Sequence, residues 1–114
     1  MPTQMASRKL PNYLRTHRKR SYLTQVEVAY LLGVRNGANI SRYELHRRPP
    51  SLETAIAYTV VFGEPIQELL AGSYDEIALV TKERARRLSS KLRQSSANLR
   101  DARKLETLDR IILS

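Results

Sequence analysis

Residues Leu23 to Pro50 read LTQVEVAYLLGVRNGANISRYELHRRPP, and their punctuation decides what the chain folds into. Thr24 followed three residues later by Glu27 is a capping box, in which each side chain satisfies a free backbone N–H at a helix start. Leu23 and Val28 stand where a hydrophobic staple clamps the entry. Val28, Leu31 and Leu32 recur at helical spacing, and Ala29 is small enough to let a second helix approach closely. Gly33 then stops the helix, since a residue without Cβ enters the left-handed region most easily. Val34 plugs the corner. Asn36 is placed to cap a second short helix, with Gly37, Ala38 and Asn39 in its first turn. Ile40 and Tyr43, three residues apart, give that helix its inner face.

Two short helices joined by a tight glycine turn make a helix-turn-helix, whose second member fits a DNA major groove. The pattern resembles the Cro/Xre family of repressors. Leu14-Arg15, Arg18, Leu23-Thr24-Gln25, Val28-Ala29, Leu32-Gly33-Val34, Ile40-Ser41, Arg42-Tyr43-Glu44 and Pro50 carry the likeness, which runs over about residues 10–70. Two departures stand out: one residue more than usual between Val34 and Ile40, and His46 where a glycine ordinarily ends the recognition helix. The resemblance implies an all-α chain, a five-helix lambda-repressor-like domain over residues 10–72. It also implies that Arg18 pairs with Glu44, tying the first helix to the recognition helix.

On that likeness, residues 36–44 form the helix that enters double-stranded DNA. Gln25, at the start of the preceding helix, is where backbone N–H groups and an amide hold a phosphate; its plainer role is capping. Asn36, Gly37, Ala38, Asn39 and Arg42 project away from Ile40 and Tyr43. Arg42 is the strongest candidate for reading a base, because a guanidinium bonds guanine O6 and N7 together, and Asn39 has the same kind of match to adenine. Ala38 offers only a methyl contact and Gly37 no side chain, so direct readout is sparse. Arg35, or DNA shape, would make up the shortfall. Arg47 and Arg48 follow the helix as phosphate contacts, or as plain surface charge.

Charge agrees with a polyanion partner. Twenty Lys+Arg against eleven Asp+Glu give +9, and residues 1–50 hold ten basic and two acidic side chains. Residues 51–74 hold no basic and three acidic ones; 75–114 hold ten and six. With no cysteine, disulfides and thiolate metal sites are excluded, and no apolar run approaches the roughly 20 residues of a membrane span. Neither histidine, His17 or His46, has a metal-spaced neighbour, and the glycines occur singly, so no enzyme and no cofactor is expected.

Residues 1–9 read as a flexible basic arm leading into a helix with Leu10, Tyr13, Leu14 and His17 at helical spacing and Pro11 in its first turn. A start without an acidic residue before Glu27 also suits a transit peptide, but the segment completes the repressor-like pattern. After Pro49-Pro50, Leu52, Ala55, Ile56 and Thr59-Val60 supply a stripe expected to finish the core, followed by a short helix with Ile66, Leu69 and Leu70 inward.

Ser73 with Glu76 repeats the capping-box spacing and opens a helical extension over residues 73–114. Positions 85, 88, 92, 95, 99 and 102 follow coiled-coil steps, though Gln94-Ser95-Ser96-Ala97-Asn98 is a place to bend or split it. Terminal Ile111-Ile112-Leu113 asks for a partner. The extension is thus read as a homodimer seam or as a docking arm for another protein. The functional expectation is a cytoplasmic, nucleoid-associated DNA-binding regulator acting as a repressor. The rivals are an antitoxin whose tail covers a toxin, and an adaptor that has kept the helix-turn-helix shape without DNA affinity.

Overall fold

The structure is a computed structural model describing residues 10–95 and 98–114, and among these every regular element is a helix. In order they are α1 (Leu14–Arg20), α2 (Gln25–Leu32), α3 (Gly37–Glu44), α4 (Leu52–Phe62), α5 (Ile66–Leu69), α6 (Ala71–Gln94) and α7 (Leu99–Leu113). The chain divides into two compact units that meet between Asp75 and Glu76, so α6 begins in the first and continues in the second. The expected arm of residues 1–9 lies outside the described residues, as do Ser96 and Ala97.

The first unit is built on one core. Leu14, Val28, Ala29, Ile40, Tyr43, Tyr58 and Leu69 are buried together, with Leu23, Leu32, Val34, Phe62 and Leu70 packed around them. Tyr58 from α4 sits edge-on to Tyr43 at 6.2 Å and stacks on Phe62 at 5.9 Å between ring centres. Its hydroxyl is buried and has no hydrogen-bond partner among the described residues; burial pushes it well above the usual tyrosine range, the Glu44 carboxylate adding to this. The helix stops follow the local chemistry: Thr24 and Glu27 form the reciprocal capping box, Gly33 and Gly63 take left-handed φ of 73° and 65°, and Ser51 caps α4.

Four details depart from the sequence expectation. The first helix begins at Leu14 and leaves Leu10 half-exposed, because Asn12 is buried ahead of it. The Asn12 side chain accepts from the Leu14 N–H and donates to the Tyr43 carbonyl, and the Tyr13 N–H donates to the Leu69 carbonyl. These bonds hold residues 12 and 13 in a non-helical entry, with Tyr13 at φ −117° and ψ 21°, instead of a turn of helix. On α2 the inner face is Val28, Ala29 and Leu32, with Leu31 turned outward.

On α4 the expected stripe faces the wrong way: Thr54 and Tyr58 are buried, whereas Leu52, Ile56 and Val60 are exposed. LETAIAYTVVF is apolar nearly all round, so its periodicity does not choose a side. The large ring of Tyr58 does, by filling the space between Tyr43 and Phe62. Finally, Ser73 lies inside α6, not at its cap. The helix starts at Ala71, and the Gly72 N–H, left free in a first turn, donates to the Pro11 carbonyl at 2.9 Å. A Cβ on Gly72 would lie 2.7 Å from that oxygen, so glycine is required there by space.

The second unit is an antiparallel helical pair. Asn98 caps α7 by accepting from the Asp101 N–H, Arg93 pairs with Asp109 at 3.3 Å, and Lys82 donates to the Ser114 carbonyl. Ala85, Ser89 and Leu108 are its buried side chains. The run 85–102 is therefore not one seam. Position 85 is buried and Leu92 half-buried on α6, while Leu88, Leu99 and Ala102 are exposed and the last two belong to α7. The break falls before Leu99, where the sequence supplies the N-cap Asn98 and no large apolar residue between Leu92 and Leu99.

Candidate nucleic-acid interface

The interface is organised by a buried carboxylate. Glu44, at the last turn of α3 with its side chain 3% exposed, accepts from Arg18 Nε at 2.6 Å and Nη2 at 3.1 Å, and from Gln25 Nε2 at 3.2 Å. Arg18 Nη1 donates to the Leu23 carbonyl as well. One carboxylate thus joins α1, α2 and α3, and the pair that the family resemblance implied is present. The hydrogen bonds to Glu44 hold the Arg18 guanidinium charged, outweighing its partial burial. Such a network fixes how α3 stands on the domain more than it adds net stability.

With Ile40 and Tyr43 turned into the core, the opposite side of α3 is free. Arg42 is exposed and its Nη1 donates to Asn39 Oδ1 at 3.1 Å, so the two outward side chains stand together. Asn39 is half-buried at its base, and Ala38 beside it is exposed. Asn36 caps the helix through the Ala38 N–H at 3.0 Å. Gly37 touches α2: a Cβ there would lie 3.4 Å from Gln25 Cβ and 3.5 Å from the Val26 nitrogen, an ordinary contact. The first turns of α2 and α3 therefore adjoin. Thr24 takes up the Glu27 N–H, which leaves the amides of Gln25 and Val26 as the unfilled donors of α2. Two positive helix ends side by side favour an anion.

Gln25 is a half-buried strut whose side-chain amide donates to Glu44, so that amide is turned toward the α1–α3 network. Arg35 is exposed in the turn between α2 and α3, where the additional residue of the sequence falls. Arg47 and Arg48 are exposed after α3. His46 preserves the geometry that glycine ordinarily supplies, with φ +59°, the His46 N–H donating to the Tyr43 carbonyl and the Arg47 N–H to that of Arg42. A left-handed non-glycine residue costs about 1 kcal/mol, and Tyr22 at φ +60° carries a second such cost. Between residues 34 and 50 the single acidic side chain, Glu44, is turned inward, so the outward charge there is all cationic.

Sequence reasoning missed Asn12. Its local bond to the Leu14 N–H is a legible turn signal, whereas its reach of 31 residues to Tyr43 is not. Among the described residues no cluster of His, Asp or Glu is suited to hold a metal ion, and no helix is long and apolar enough to cross a membrane. A family model described as a helix-turn-helix domain matches residues 10–71, just over half of the chain. No curated protein and no solved structure matches it.

Proposed function

The chain belongs to the helix-turn-helix domain family, and from that premise we propose that it is a sequence-specific transcriptional regulator. It acts as a dimeric repressor on the nucleoid, occupying an operator with α3 in the major groove. The observation that carries this reading is the Asn39–Arg42 pair, outward on α3 beside the adjoining first turns of α2 and α3. Arg42 keeps most of its five donors free for guanine O6 and N7, and Asn39 aims it by accepting one. The unfilled amides of Gln25 and Val26 take a backbone phosphate, and Arg35, Arg47 and Arg48 take others, setting register without reading sequence. With Gly37 and Ala38 supplying almost nothing, the rest of the discrimination comes from DNA shape.

Selection of bound duplexes from a randomised pool tests this. Arg42→Ala should lose ~1–3 kcal/mol of discrimination at one base position. Arg47→Ala should weaken all sequences alike and lower the slope of log affinity against log salt by about one. Arg42→Ala weakening every sequence equally would remove the base-reading role.

A further inference from the structure

Besides the Val26–Tyr30 face of α2, one apolar stripe is left uncovered in each unit, and their charges differ: only acids flank the first, whereas bases outnumber acids along the second. On α4, Leu52, Ile56 and Val60 follow one another at i, i+4, i+8 and are 54–77% exposed. Glu53 and Glu64 flank them, neither holds an ion pair among the described residues, and residues 51–74 contain no Lys or Arg. On α6, Ile77, Val80 and Leu88 are 45–67% exposed. Glu76 and Arg84 lie in the same i, i+4 row as Val80 and Leu88, and Lys91 continues the face; none of the three is ion-paired among the described residues. Arg87 beside them is held by Glu83 at 3.4 Å.

We infer that the occupant of both stripes is a second copy of this chain, with α6 of one protomer laid on α4 of its partner and the same contact repeated in reverse. Three observations favour this over pairing like with like. Two α6 stripes face to face would bring four bases together with only two acids, Glu76 and its copy, leaving positive charge in excess in a drying interface, where like charges are costly. Two α4 stripes would bring Glu53 and Glu64 together with no cation nearby. Crossed pairing sets the two acids beside the α4 stripe against a stripe on which Arg84 and Lys91 outnumber the one acid, Glu76.

Area points the same way. Three or four aliphatic side chains cover ~60–120 Å² each, so a single stripe-on-stripe contact buries roughly 400–800 Å² in total. That is below the ~1,000 Å² expected of a stable interface, and two reciprocal contacts about a two-fold axis double it. The contact needs no DNA, so it stands or falls apart from the proposed regulator role, though a two-fold dimer would present two copies of α3 to two half-sites.

The full chain at micromolar concentration, followed by sedimentation or light scattering, tests it. Wild type should weigh as a dimer. Ile56→Asp and Val80→Asp, both at exposed positions, should each weaken the dimer by about tenfold or more. An equal mixture of those two variants should regain part of the association, because one intact contact survives between them. As a folding-independent check, Glu53→Arg and Arg84→Glu should each weaken the dimer and the double variant should restore it.

Loss with Ile56→Asp alone would mean α4 self-pairing, and loss with Val80→Asp alone would mean α6 self-pairing; either overturns the crossed contact. So would a monomeric wild type, and if that monomer still retarded duplex DNA the DNA-binding part of the regulator reading would survive, without the dimer. A dimer that ignored duplex would leave the contact standing and remove the regulator reading.

Discussion

The two units are made of the same material, helices rich in Leu, Ala and Arg, yet they are held together differently. The first closes seven side chains from five helices into one core and nails three of those helices to a single carboxylate. Among its described residues the second buries only Ala85, Ser89 and Leu108, and the cross-links between its helices are an exposed ion pair and a lysine on a terminal carbonyl. Small residues let two helices approach but bring little apolar area, so such a pair gains little by closing on itself. The contrast teaches where rigidity is needed. The residues proposed to meet a groove are fixed by buried polar geometry, whereas the thin pair leaves Ile77, Val80 and Leu88 exposed.

The contrast can be broken by substitution. The largest effect is expected from Glu44→Ala, which strands Arg18, 12% exposed, and frees Gln25: a loss of about 3–5 kcal/mol in urea unfolding, together with loss of DNA binding. If Glu44→Ala cost no more than a surface change, the carboxylate would not be what fixes α3. Next is Gly72→Ala, whose Cβ meets the Pro11 backbone; about 1–3 kcal/mol should be lost, with amide exchange rising in α1 and α5 and unchanged in α7. The smallest is Asp109→Asn. It removes an ion pair about half exposed on both sides and should cost ~0–1 kcal/mol. A loss comparable to that of Glu44→Ala would show the second unit to be cemented by charge after all.

Much of the first unit is written in short signals. Thr24 with Glu27, Gly33, Asn36 and Ser51 mark helix limits through bonds to their own near neighbours, and each is where the sequence puts it. Ile40 and Tyr43 face inward because α3 has polar residues everywhere else to define its outside. What was not legible depends on residues distant in the chain. The face of α4 is chosen by the Tyr58 ring among Tyr43 and Phe62, the start of α1 by Asn12 bonding Tyr43, and the start of α6 by Pro11. At the site, exposure of Arg42 could be counted from Ile40, but the capture of Gln25 by Glu44 required the helices to be assembled first. In the second unit the heptad steps were real in the letters and void in space, since Asn98 starts a new helix before the run ends.

The close seat of Gly72 on Pro11 has a practical corollary for handling the protein. Because Pro11 is seated against the first turn of α6, an insertion between Leu10 and Asn12 would disturb the start of α6 as well as the entry to α1.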